Sequence, residues 1–404
     1  MLSRMLAYGQ KIFGLMDLLE GLEDNREKPE IPAHVFPKTL LILWLTRFPS
    51  LNALDQFRAQ SSFRRFLRSP MPSGDQLANV TEVFDVPGLR RILGHMYHRV
   101  VRNKVLQATR GHRLAVVDGH EINCSYNRCC SECQQRVIKV KGEERIQYYH
   151  RAVVLMLTGP SFFFLLDLEL QRPGEDEGTA ALRLIERVLK QHPRSFDILL
   201  GDGLYPQARL FKLLRRHDKH ALVVLKDERR DILKDARSLF GPKPTVAYQI
   251  DSVRYQCWDV EDLRSWDSYP ETVRVVRSIE TTTIRKEKRG KWDEREQTTE
   301  WVWVTTIPQA EIGTRDIVLF GHERWRIENE GFNELTNQWH ADHYFHHHPV
   351  SISAFWLSLF IAHALFHCFM RNLKPAVRVG HTRMFWACLI LAEFVCDVWR
   401  YSSA

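Results

Sequence analysis

From Arg113 onward, apolar runs and amphipathic runs follow one another in an order that few chain topologies can accommodate. RLAVVD (113–118) reads as a short strand. RIQYYHRAVVLML (145–157) and SFFFLLDLEL (161–170) read as two more, joined by a hairpin turn at Thr158-Gly159-Pro160-Ser161. TAALRLIERVLKQH (179–192) then places its apolar residues at helical spacing. SFDILLGDG (195–203) returns to a strand, PQARLFKLLRRHD (206–218) is helical, and HALVVLK (220–226) is a strand. Three strands, a helix, a strand, a helix and a strand predict an α/β fold with a mixed sheet and helices covering it.

Different textures flank that run. Residues 1–110 read as helical, with LLILWLTRF (40–48) as an apolar helix and a helix N-cap in Pro72-Ser73-Gly74-Asp75. Residues 231–308 alternate branched or aromatic residues with polar ones, the mark of a β-rich insertion, and KEKRGKWDEREQ (286–297) reads as an exposed hairpin tip. The stretch 309–348 turns helical again, and 349–404 carries two apolar helices. These give five segments: a helical N-terminal region (1–110), a first core part (111–230), the insertion (231–308), a second core part (309–348) and C-terminal helices (349–404). Ser351–Phe369 is apolar enough to be mistaken for a membrane span, but it holds two histidines and three serines and lacks a basic flank, so a buried core helix is expected.

Two aspartates close predicted strands, Asp118 in VVDG and Asp202 in LLGDGLY. A carboxylate at a strand end points into the crevice where α/β sites are built, whereas Asp-Gly also makes ordinary turns. A third acid lies in RWRIENEGFNEL: Arg324 and Glu328 share a helix face at i, i+4, so Arg324 can orient the carboxylate or hold a phosphate. Glu330, two residues further, faces away. Three carboxylates suit in-line attack on a phosphodiester, because two Mg²⁺ (or Mn²⁺) ions roughly 3.5–4 Å apart activate the attacking hydroxyl and stabilise the departing oxygen. The net charge of +8 over 404 residues favours a polyanionic partner, nucleic acid first. Arg64, Arg65 and Arg68, with Arg58, Arg90, Arg91, Arg99 and Arg102, suit phosphate contacts that position DNA without reading its sequence.

The strand-end Asp118-Gly119, the GDGLY around Asp202, the β-rich insertion and Arg324-Trp325-Arg326-Ile327-Glu328 together resemble the DDE transposases of bacterial insertion sequences, in particular the large insertion-sequence-four type. The resemblance runs from about Arg113 to about His348. It implies a ribonuclease H-like core interrupted by a β domain, with Asp118, Asp202 and Glu328 as catalytic metal ligands. It further implies cleavage of double-stranded DNA at the element ends and joining to target DNA by a homodimer in a synaptic complex, in the bacterial cytoplasm at the nucleoid and away from any membrane. The family signature is Tyr, two residues, Arg, three residues, Glu, six residues, Lys. Here Gly321 stands for the tyrosine and Leu335 for the lysine, both normally phosphate contacts; His322, Arg326 and Asn337 are the candidate substitutes. A metal-dependent nuclease without strand transfer and a domesticated DNA-binding derivative are the alternatives.

The eight cysteines form no secretory disulfide framework, and no signal peptide precedes them. Cys130 and Cys133 form a CxxC beside Cys124 and Cys129, with His150 ending YYH. A zinc site needs four ligands, and no second CxxC or HxxxH closes this one, so reduced loop cysteines are expected and structural Zn²⁺ at Cys130, Cys133 and another residue is the alternative. Five histidines crowd WHADHYFHHH (339–348), a polar loop after the glutamate helix with a capacity for metal or phosphate.

Overall fold

Among the described residues, seven helices precede the first strand: α1 (Leu2–Phe13), α2 (Leu15–Glu20), α3 (Val35–Leu45), α4 (Leu51–Asp55), α5 (Ser61–Leu67), α6 (Gly74–Thr81) and α7 (Val86–Arg102). Local chemistry sets several of their boundaries. Ser73 and Gln76 form a reciprocal capping box at α6, and Asp85 accepts from the Gly88 amide at the start of α7. The computed structural model describes residues 1–24, 26–27, 29–288, 291–343, 345–378 and 380–395, with backbone only for 285–288, 291–293, 376 and 378.

The strands and remaining helices are β1 (Leu114–Ser125), β2 (Gln134–Val140), β3 (Glu143–Gly159), β4 (Phe162–Leu170), α8 (Glu177–Gln191), β5 (Ile198–Gly201), α9 (Ala208–Arg216), β6 (His220–Val224) and α10 (Asp231–Leu239). After them come β7 (Val246–Ile250), β8 (Val253–Leu263), β9 (Val273–Lys288), β10 (Lys291–Thr305), α11 (Thr314–Glu323), a π-helical turn (Ile327–Phe332), α12 (Asn333–Trp339), α13 (Pro349–Asn372), α14 (Pro375–Arg378) and α15 (Arg383–Val395). Strands and helices mix as an α/β fold with parallel and antiparallel pairings, as the order of apolar runs predicts.

The chain divides into two units. The first comprises Met1–Gln107, Gly119–Ala180 and Glu328–Ala404. Its centre is α13, which packs against α1, α3, α7 and β4. Every residue of α3 and eighteen residues of α13 are buried, so both are apolar all round because they have no solvent face. By length and composition α13 could cross a membrane, yet 89% of its most apolar window is buried within the fold, as expected of a core helix. In the same unit β2, β3 and β4 form an antiparallel ladder, with the β3–β4 turn where Gly159 and Pro160 predict it.

The second unit comprises Ala108–Asp118 and Ala181–Ile327. β1 and β5 pair in parallel, β5 and β6 pair in parallel, and β10 then joins β6 antiparallel. β10, β9, β8 and β7 continue as an antiparallel meander, so the β-rich stretch extends the ladder begun by β5 and β6. The expected tip of the long β9–β10 hairpin, at 289–290, lies outside the described residues. A buried ion pair anchors the meander to α11. Arg274 on β9 meets Asp259 on β8 at 2.6 Å, Asp259 also accepts from the Thr314 hydroxyl, and Arg274 donates to the Ile312 carbonyl. The start of α11 is thereby fixed relative to the strands.

Candidate active site

Asp118 and Asp202 both belong to the second unit. β1 and β5 run parallel with Leu114 opposite Ile198, Ala115 opposite Leu199 and Val116 opposite Leu200. Asp118 and Asp202 each lie two residues past Val116 and Leu200, the last pair that these neighbouring strands share. The apolar residues before each aspartate are fully buried, so the backbone that carries the acids is rigid.

Asp118 corrects one expectation: it does not end its strand, because β1 continues to Ser125. The Asp118-Gly119 pair is therefore no turn, and its glycine serves another purpose: a Cβ on Gly119 would lie 2.0 Å from Oε2 of Glu177. That carboxylate is buried at the start of α8 and accepts from Arg151 at 2.9 Å. Nothing in the sequence around residue 119 reveals a partner 58 positions away. His120, next along β1, stacks on Phe332 with ring centroids 4.4 Å apart.

Asp202 stands immediately after β5 and does open a turn. Its Oδ1 accepts the Leu204 amide at 2.8 Å and its carbonyl accepts the Tyr205 amide at 3.1 Å. This Asx-turn fixes the side chain's direction. Tyr205 folds back over the strand end, where a Cβ on Gly201 would come within 2.9 Å of it. Gly203 faces the aliphatic stem of the exposed Lys226, just beyond β6.

Arg324 lies where α11 ends. Its side chain is buried, its Nη1 stands 3.6 Å from Oδ2 of Asp118, and its guanidinium stacks 4.4 Å from the Trp325 ring centre. Helix spacing alone directs Arg324 toward Glu328; the fold sets it beside a carboxylate of β1. Glu328 lies in the π-helical turn, half-buried, whereas Glu330 is exposed. π-turns inside helices occur often at functional sites, because the extra residue re-aims side chains.

The two departures from the signature acquire physical reasons. Gly321 is packed against Trp303 of β10, and a Cβ there would fall 2.5 Å from the indole, so the position that holds tyrosine in the family has no room for one. Leu335 is fully buried in α12 and belongs to the core. The candidate substitutes are already engaged: His322 with Glu280 at 2.7 Å, Arg326 with Glu323 at 2.9 Å, and Asn337 with Asn333. Of the predicted phosphate contacts, Arg64 and Arg65 on α5 and Arg68 just beyond it are exposed. Arg90 instead pairs with buried Asp167 at 2.9 Å, and Arg58 donates to the Met71 carbonyl. Cys130, Cys133, His150 and His347 come together in the first unit.

The family described as "Transposase DDE domain" matches residues 109–365, well over half of the chain. The chain belongs to the DDE transposase family. It is a transposase, an enzyme of phosphodiester hydrolysis and transesterification, and its family works with divalent metal ions. Among solved structures, the cryo-EM structure of the piggyBac transposase synaptic complex with hairpin DNA is similar, at 12% identity and a TM-score of 0.46, covering 99% of this chain and 82% of that one. No curated protein matches the chain. A DDE transposase needs hard oxygen donors for its ions, and carboxylates are such donors.

Proposed function

We propose that Asp118, Asp202 and Glu328 are the catalytic triad of this transposase and hold two Mg²⁺ ions. The observation that supports this reading is the parallel pairing of β1 with β5, in which Asp118 and Asp202 each follow the Val116–Leu200 pair by two residues. When bound, two such ions activate a water or 3′-hydroxyl and stabilise the departing oxygen of an in-line displacement. The residues of the chain do the rest. The Asx-turn holds Asp202 in one orientation, so a ligand oxygen stays where it is needed without a cost in side-chain entropy at the moment of binding. Arg324, buried beside Asp118, offsets acid–acid repulsion before metal arrives and presents a planar donor to a phosphate.

The substrate of this reading is double-stranded DNA, cut at the element's ends and joined to a target, by a homodimer that brings two ends together at the bacterial nucleoid. Arg324-Trp325-Arg326-Ile327-Glu328 supports the insertion-sequence-four type. The exposed Arg64, Arg65 and Arg68 supply sequence-independent phosphate contacts.

The test is cleavage and joining of duplexes bearing the element's ends in Mg²⁺. Asp118→Ala and Asp202→Ala should each abolish cutting while DNA binding survives, since removing a carboxylate removes repulsion from phosphate. Glu328→Gln should behave likewise, and Glu330→Gln should cut at nearly the parental rate. Cutting that persists in Asp202→Ala overturns the assignment. A dead Glu330 variant with an active Glu328 variant would move the third acid by two positions.

A further inference from the structure

The four side chains that meet in the first unit come from three separate stretches of chain. Cys130 and Cys133 lie in the loop between β1 and β2, His150 lies in β3, and His347 lies in the loop between α12 and α13. The two sulfurs are 3.8 Å apart, and His150 Nε2 lies 3.5 Å from Cys130 Sγ and 3.4 Å from Cys133 Sγ. His347 Nε2 lies 2.7 Å from Cys133 Sγ. All four donor atoms fall within 4.8 Å of one another.

A tetrahedral zinc ion with Zn–S of about 2.3 Å and Zn–N of about 2.05 Å separates its ligand atoms by about 3.8 Å for two sulfurs and about 3.6 Å for sulfur and nitrogen. Three of the contacts match those values, and only His347 must draw back, by roughly 0.9 Å. A disulfide does not explain the arrangement, because its sulfurs would stand about 2.05 Å apart and it would leave two imidazoles aimed at one point without a purpose. The set is two thiolates and two imidazoles, the donor chemistry of structural zinc.

We propose that Cys130, Cys133, His150 and His347 bind one structural zinc ion. The ion pins the loop after α12, and so the strand of chain leaving the glutamate helix, to the base of the β2–β3 hairpin. Histidine from the run His346-His347-His348 supplies the ligand that a second CxxC would supply elsewhere. The site takes no part in phosphodiester chemistry.

The experiment is metal analysis and cobalt spectroscopy on the full-length chain, purified under reducing conditions. One zinc per chain is expected, and cobalt exchanged for it should show the visible bands of a tetrahedral site with a thiolate charge-transfer band. Cys130→Ser, Cys133→Ser and His347→Ala should each lose the stoichiometric zinc, whereas Cys124→Ser and Cys129→Ser, both exposed, should keep it. Asp118→Ala should keep it too while losing cleavage, which separates this site from the catalytic one. A wild-type chain that takes up cobalt without a thiolate band, or takes up neither metal, overturns the proposal even if a cysteine variant fails to fold. So does zinc retained in full by a soluble His347→Ala chain.

Discussion

At the scale of the residue, two glycines explain why this chain reads as it does. Glycine in the interior of a helix is ordinarily a loss of about 0.5–1 kcal/mol against alanine, so Gly321→Ala in α11 would be stabilising on propensity alone. Here the added Cβ meets the Trp303 indole at 2.5 Å, and buried Trp303 has nowhere to retreat. Overpacking of that kind costs about 1–3 kcal/mol and wins. Gly321→Ala should therefore lower the urea midpoint, and Trp303→Leu in the same chain should recover part of the loss; a stabilised single variant refutes the packing account. The position of Asp202 just after a strand was legible, whereas Asp118 was read as a strand end although β1 runs on past it. The partners Glu177 and Trp303 were not legible, because each is a contact between distant segments that leaves only a small residue as its trace.

At the scale of the element, periodicity read the buried helices and the β3–β4 hairpin correctly, since a helix apolar on all sides or a turn of Gly-Pro carries its signal locally. It missed β2, whose residues are mostly exposed and alternate weakly, and it stopped β1 at Asp118 although the strand runs on through polar residues to Ser125. The helical stretch around Glu328 was legible, but its π-turn was not, because nothing in the composition of IENEGF marks an extra residue per turn. Two elements carry predictions of their own. Replacing Arg64, Arg65 and Arg68 by Gln should weaken binding to all DNA sequences alike and reduce the slope of log affinity against log salt by up to about 2.7, the release expected for three phosphates on duplex DNA. A loss confined to one sequence would show base reading instead. In α12, buried Glu334 accepts from His367 at 2.7 Å and from Trp339 at 3.2 Å and pairs with Arg383, binding α12 to α13 and α15. Glu334→Ala should cost about 3 kcal/mol in chemical denaturation, since it strands buried donors; a change below a fifth of that would mean that water replaces the carboxylate without penalty.

At the scale of the whole molecule, the chain enters the first unit twice after leaving it. Two of the junctions fall at Asp118/Gly119 and at Ile327/Glu328. Residues 1–107 bury their apolar faces largely against α13, which is more than two hundred residues away in sequence. A chain ending before Pro349 should thus fail to fold its N-terminal helices, and should appear in the pellet or bind a hydrophobic dye; a soluble, cooperatively unfolding truncation would refute this. The same feature imposes a delay on synthesis. At about 5–20 residues per second, a ribosome needs roughly 12–48 s to pass from residue 107 to residue 349. Throughout that interval the apolar α3 lacks α13, the helix it packs against most, so output of this transposase in a cell should depend on how much chaperone is free to shield a half-made chain.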